Sequence, residues 1–126
     1  MSMNQVNTNK KHILVIEDDK EVRNMLEDYL TYLDYSVSAV DDGLKGLKKI
    51  KDGRYDLVIT DITIPYVSGI GIISVLKQDY PDIPVIAITG FGYHAEELAY
   101  EKKADHILSK PFEIQELREV ISGFLA

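Results

Sequence analysis

The 126-residue chain contains no cysteine, which excludes disulfides, thiolate metal centres and a cysteine nucleophile together. Histidine is scarce, and His12, His94 and His106 do not fall at zinc-ligand spacings. An imidazole-rich metal site is therefore not expected, and any metal would take oxygen ligands. Positive charge is in deficit: 14 basic residues face 21 acidic ones, for a net charge of −7. That balance argues against nonspecific attraction to nucleic acid or anionic membranes and leaves proteins or small ligands as the expected partners. No apolar run approaches the roughly 20 residues of a membrane-spanning helix. Residues 1–10 are polar and asparagine-rich, without the apolar core of a signal peptide. Low-complexity tracts and internal repeats are also missing. The expectation is a flexible tail at 1–10 followed by one cytoplasmic domain at 11–126, with no membrane insertion. A hydrophobic content of 45% supplies enough apolar surface for one continuous core.

What is present has an alternating rhythm. His12 to Ile16 is a short, β-branched apolar run that stops at Glu17-Asp18-Asp19, as a strand does. Val22, Met25, Leu26, Leu30 and Leu33 then recur at helical spacing, with Glu21, Arg23, Asn24, Glu27 and Asp28 turned away. The pattern repeats with a strand at 35–40 and a helix at 43–50, its Leu44, Leu47 and Ile50 inward and Lys45, Lys48 and Lys49 forming a solvated face. A third strand spans 55–60. After the Pro65 to Gly69 loop, Ile72, Ile73, Val75 and Leu76 mark a helix that ends near Tyr80-Pro81, because the residue before proline avoids helix. A strand at 83–88, a weaker helix at about 93–102, a short strand at 106–108 and a final helix starting at Pro111 complete the chain. The stripe of that last helix is Ile114, Leu117, Ile121 and Phe124. Five strands that are apolar throughout, alternating with helices, indicate an α/β fold: a doubly wound parallel sheet covered on both faces.

Open parallel sheets bind ligands at the carboxyl ends of their strands. Here those ends carry Glu17-Asp18-Asp19, Asp61, Thr89-Gly90 and Ser109-Lys110-Pro111. Carboxylates from distant segments would converge on one cleft, each close pair costing roughly 4 kcal/mol at about 4 Å and an effective dielectric near 20. Such a cluster needs a cation or raised pKa values. Lys110 offsets one charge, and an all-oxygen site with several carboxylates and a backbone carbonyl suits Mg²⁺.

Taken in order, Ile13-Leu14-Val15-Ile16-Glu17-Asp18-Asp19, Asp61-Ile62-Thr63-Ile64-Pro65 with Gly69, Thr89-Gly90 and Lys110-Pro111-Phe112 resemble the receiver domain of bacterial two-component response regulators over nearly the whole chain. The resemblance implies a flavodoxin-like five-stranded sheet in the order 2-1-3-4-5. It implies that Asp61 accepts a phosphoryl group from a histidine kinase or phosphotransfer protein and so changes binding to a downstream protein target. Asp18, Glu17, Asp61 and the Thr63 carbonyl would hold Mg²⁺ or Mn²⁺, Thr89 and Lys110 would contact the phosphoryl oxygens, and Lys110-Pro111 would be cis. Thr63 and Phe91 would flank the path of a hydrolytic water, the bulky Phe91 slowing dephosphorylation. At the switch position, where the family usually carries Tyr or Phe, this chain has Ile107, which has no ring to rotate.

Plainer readings exist for each residue. Asp18 and Asp19 suit a helix cap, Asp61 a turn, Thr89-Gly90 a generic turn, and Lys110 a solvated lysine; His94 and His106 are read as surface residues without a catalytic role. Three rival functions also follow. An aspartate-nucleophile phosphohydrolase of the haloacid-dehalogenase type would need a second aspartate two positions after the first, where Thr63 stands. A flavodoxin-like nucleotide- or flavin-binding module would need a glycine- and hydroxyl-rich phosphate loop, where the chain has Glu17-Asp18-Asp19-Lys20. A receiver-like module working unphosphorylated would not need acceptor, acidic, hydroxyl and lysine positions all intact.

Overall fold

The computed structural model describes residues 10–90 and 103–125. Among these, five strands, β1 (His12–Ile16), β2 (Ser36–Val40), β3 (Leu57–Asp61), β4 (Val85–Thr89) and β5 (His106–Ser109), pair in parallel in the order β2-β1-β3-β4-β5. Four helices are described: α1 (Lys20–Tyr32), α2 (Gly43–Asp52), α3 (Gly69–Asp79) and α4 (Ile114–Leu125). The expected doubly wound sheet and its strand order are present. The expected helix at 93–102, Phe91 and nearly all of the expected tail lie outside the described residues. Lys10, the one described residue of that tail, pairs with Asp34 at 3.2 Å.

Burial sorts the strands. Every residue of β3 and β4 is buried, whereas β2, at the sheet edge, is only half-buried except at Val40. Side chains alternate across a strand, so two cores form. Leu14, Ile16, Val58, Val85 and Ala87 pack with Ile50 of α2 and Ile72, Ile73 and Leu76 of α3. Ile13, Val15, Leu57, Ile59, Ile86, Ile88 and Leu108 pack with Leu26 and Leu30 of α1 and Leu117 and Ile121 of α4.

The helices begin where side chains cap them. Asp19 caps α1 by accepting from the Glu21 and Val22 amides, Asp42 caps α2 through the Lys45 amide, and Ser68 caps α3 through the Gly71 amide. The last helix starts at Ile114 rather than at Pro111, because the first helical bonds, from the Glu116 and Leu117 amides, end on the Glu113 carbonyl. Three apolar residues expected inside are substantially exposed: Met25, Leu44 and Phe124. Leu44 is displaced because α2 meets the sheet through glycine. Gly43, Gly46 and Ile50 are its buried face, and a Cβ at Gly46 would stand 2.5 Å from Ile16 Cδ1. With about 100° between successive residues, that face leaves Leu44 turned outward.

Candidate functional site

Register brings the chemistry together. Ile16 lies opposite Thr60, and Asp61 opposite Ile88, so one further residue sets Glu17 level with Asp61. The Glu17 amide donates to the Val40 carbonyl at 3.0 Å, holding the chain straight as it leaves β1. Alternation gives Glu17, Asp61 and Lys110 the parity of Val15, Ile59 and Leu108, on the α1 and α4 face. Thr89 and Ile107 share the parity of Ala87, on the opposite face.

Asp61 is buried at 5% exposure and both of its oxygens are engaged. Lys110 Nζ donates to Oδ2 at 2.6 Å, and the Thr63 amide donates to Oδ1 at 2.9 Å. Lys110 Nζ also stands 3.1 Å from Glu17 Oε1. That oxygen has no well-angled hydrogen bond although Glu17 is 1% exposed, while Glu17 Oε2 accepts from the Asp19 amide at 3.1 Å. One carboxylate oxygen each from Glu17, Asp18 and Asp61 lies within 4.8 Å of the others. These residues, with Asp19, Thr63, Gly90 and Lys110, line a cavity of about 430 Å³.

Two supports were not legible from strand ends alone. Arg23, one turn into α1, donates from Nη1 to the Glu17 and Asp18 carbonyls at 3.0 and 3.3 Å, tying the acidic loop to the helix. An arginine four residues beyond the capping aspartate was the available signal. The loop after Asp61 is wedged by two glycines: a methyl on Gly69 would overlap the Asp61 carbonyl, and one on Gly43 would overlap the Val67 carbonyl. The Gly69 amide donates to the Ile62 carbonyl at 2.9 Å and the Gly43 amide to the Pro65 carbonyl at 3.0 Å. Thr60, wholly buried, donates its hydroxyl to the Asp61 carbonyl at 3.0 Å.

Burial, opposed by the Asp19 amide and reinforced by the charge of Asp61, pushes the Glu17 carboxyl up from 4.5 to about 7, with Lys110 pulling the other way. Burial alone would lower Lys110, but its hydrogen bond to Asp61 and its close approach to the Glu17 carboxylate prevail and raise it above the ordinary lysine value. Three ionised carboxylates against one ammonium leave a net −2. Partial protonation of Glu17 answers part of that excess; a divalent cation would answer all of it. The donors are hard oxygens, and Glu17 Oε1 is a buried acceptor without a hydrogen bond, so the residues fit Mg²⁺ or Mn²⁺.

The structure thus brings together Glu17, Asp18, Asp61, Thr63 and Lys110. Asp19 separates from this set as the helix cap, whereas Asp18 is exposed beside the carboxylates. Thr89 is buried at the end of β4 and is not a wall of the cavity; its neighbour Gly90 is. Ile107 is half-buried, packed into the core shared with α2 and α3. The Lys110–Pro111 peptide is cis.

The family model for the response regulator receiver domain matches residues 13–122. The chain is 32% identical over 123 residues to a probable transcriptional regulator, ycf27, of Cyanidium caldarium, covering 97% of this chain and 49% of that one. A response regulator, TrrA, from Thermotoga maritima, solved in complex with Mg²⁺ and BeF, superposes with a TM-score of 0.81 at 30% identity, covering 90% of this chain and 98% of that one. A CheY-like receiver domain protein of Methanospirillum hungatei superposes at 0.87 over 91% and 93% of the two chains; at 24% identity it speaks for the fold. The chain belongs to the response regulator receiver family of two-component signalling proteins. It spans about half the length of the curated relatives it matches. Among the described residues, no helix is long and apolar enough to cross a membrane.

Proposed function

We propose that the protein accepts a phosphoryl group on Asp61 from a histidine kinase or phosphotransfer protein, in a reaction that needs Mg²⁺ or Mn²⁺, and that the product changes its binding to a downstream protein. One observation carries the reading: Lys110 Nζ lies 2.6 Å from Asp61 Oδ2 while the oxygens of Glu17, Asp18 and Asp61 gather within 4.8 Å. A buried aspartate tied to a lysine alone is a structural pair. One joined by two further carboxylates has the oxygen donors that suit a divalent cation and, through it, an anionic phosphoryl group.

The Asp61 carboxylate forms the new P–O bond while the donor's P–N bond breaks, the electron pair leaving on the imidazole nitrogen. The Thr63 amide and Lys110 orient the nucleophile, and Lys110 passes to the phosphoryl oxygens as charge moves there. Glu17, Asp18 and Asp61, with the Thr63 carbonyl, would hold the metal, which when bound neutralises phosphoryl charge. Thr89 would follow the phosphoryl group with its hydroxyl, crossing from the opposite face. A cavity of about 390 Å³ lined by Val22, Met25, Lys110, Pro111 and Phe112 offers an apolar seat for the donor beside the reacting lysine. Self-catalysed acceptance and loss of phosphate is the only chemistry assigned. The relatives' description as transcriptional regulators supports a second reading, an output on DNA exerted by regions that the match does not include.

Intact mass spectrometry after incubation with acetyl phosphate tests the proposal. One phosphoryl group should appear with Mg²⁺, none with EDTA, and none on Asp61→Asn. Equal labelling of Asp61→Asn would overturn the site.

A further inference from the structure

Five of the 14 basic residues, Lys45, Lys48, Lys49, Lys51 and Arg54, fall within ten positions that hold one acid, Asp52. Subtracting them leaves 9 basic and 20 acidic residues, a charge of −11 over the rest of the chain. An ordinary solvated helix face mixes signs at spacings of three and four, and like charges there cost a few tenths of a kcal/mol each. Lys45 is held by Asp41 at 2.9 Å, and Lys49 and Lys51 suit the carboxyl end of α2. Among the described residues Lys48, Lys49, Lys51 and Arg54 form no ion pair. The second anomaly is apolar. Leu44 is 59% exposed, and it stands in line with Lys48 and Lys51 at spacings of four and seven, one above another on the helix. With Lys45, Leu47 and Asp52 they line a surface cavity of about 470 Å³, three lysines against one carboxylate.

We propose that this outer face of α2 is a docking surface for an acidic amphipathic helix of a partner protein, which sets an apolar side chain against Leu44 and Leu47 and its carboxylates against Lys48 and Lys51. The charge selects the occupant. Nucleic acid and anionic membranes would meet the −11 of the remaining surface, and a membrane would need a continuous apolar stripe where α2 offers Leu44 and part of Leu47. A narrow acidic helix needs only the local patch. The surface shares no residue with the phosphoryl-transfer cavity, so it goes beyond the proposed function and does not depend on it.

The test uses the full chain and a fluorescent synthetic 18-residue helix of glutamates with leucines at spacings of three and four, its lysine counterpart, phosphatidylglycerol vesicles and duplex DNA. The glutamate helix should bind, shifting the amides of α2, equally well to Asp61→Asn. Lys48→Glu/Lys51→Glu should weaken it about tenfold or more and Leu44→Ala about fivefold, at unchanged melting temperature, with added salt weakening it further. No binding at millimolar concentration, equal binding by the variants, shifts confined elsewhere, or preference for vesicles or DNA would each overturn the proposal.

Discussion

Among the described residues, the loop after β3 and Gly90, the first residue after β4, are packed on opposite principles. After β3, Asp61 has both oxygens engaged, and Gly69 and Gly43 let neighbouring backbone close upon Ile62 and Val67 with no space for a methyl group. After β4, Gly90 is exposed, and among the described residues a methyl there would meet nothing nearer than the aliphatic Cδ of Lys110 at 3.5 Å. The loop after Asp61 is clamped, and among the described residues Gly90 has room for a methyl group. In-line transfer rewards a carboxylate held in one geometry, whereas a switch needs a segment with a second arrangement within reach. Asp61 ends β3 and Gly90 follows β4, adjacent strands of one sheet, so the clamped site and the roomier one stand side by side.

Gly69→Ala would break that contrast most severely. It should cost about 3 kcal/mol in urea unfolding, the upper range for overpacking a filled site, and should slow phosphoryl acceptance by moving Asp61. Gly90→Ala should stay within about 0.5 kcal/mol. Equal costs would show that Gly69 and Gly90 are not differently packed.

Lys110→Ala removes the cation shared by Asp61 and Glu17 without touching the glycine contacts of the loop after Asp61. Labelling by acetyl phosphate should fall about 100-fold, the scale of losing one preorganised charge partner, while circular dichroism remains that of the folded protein. Labelling within twofold of the parent would make the 2.6 Å contact structural.

Sequence and structure agree most closely where periodicity and punctuation coincide. The apolar run 12–16 bounded by three acids is β1, and Asp61 closing Leu57 to Thr60 is the end of β3. Strand ends state which carboxylates meet, since parallel register leaves little freedom in how the ends align. Patterns of apolar spacing say less about which side of a helix is inside when the contact is made by hydrogen atoms. Helical spacing places Leu44 inward with Leu47 and Ile50, yet the face that touches the sheet is glycine. The role of Arg23 shows in the sequence only as an arginine four residues after the capping aspartate, because a guanidinium bonded to two carbonyls leaves no mark in charge patterning. Thr89 is legible as a strand-end hydroxyl and takes its expected role from the resemblance, while its seat on the face opposite Asp61 emerges only from register.

The clamped side should also carry the pH dependence. Glu17 is raised from 4.5 to about 7, so the folded state favours its protonated form. The stabilisation is complete below pH 4.5 and is lost as pH rises through 7. In EDTA, unfolding free energy should therefore fall by about 2 kcal/mol between pH 5.5 and 8 from this group, and Glu17→Gln should remove that slope. Mg²⁺ affinity should rise over the same interval as the carboxyl ionises. A slope unchanged by Glu17→Gln would place the strain elsewhere.

The smallest effect lies on the open side. With beryllofluoride and Mg²⁺, the Gly90 amide should shift more than that of Ile107, since an aliphatic side chain packed in the core has no ring to turn. The reverse order in heteronuclear NMR spectra would show that Ile107 still transmits the switch.

Most direct for the central claim is borohydride trapping of the phosphorylated protein, which reduces an acyl phosphate and leaves homoserine where the phosphorylated aspartate stood. After acetyl phosphate and Mg²⁺, peptide mapping should find homoserine at position 61, and EDTA should abolish it. Homoserine at position 18 or 19, or none in a protein that has gained a phosphoryl group, would contradict the assignment of Asp61.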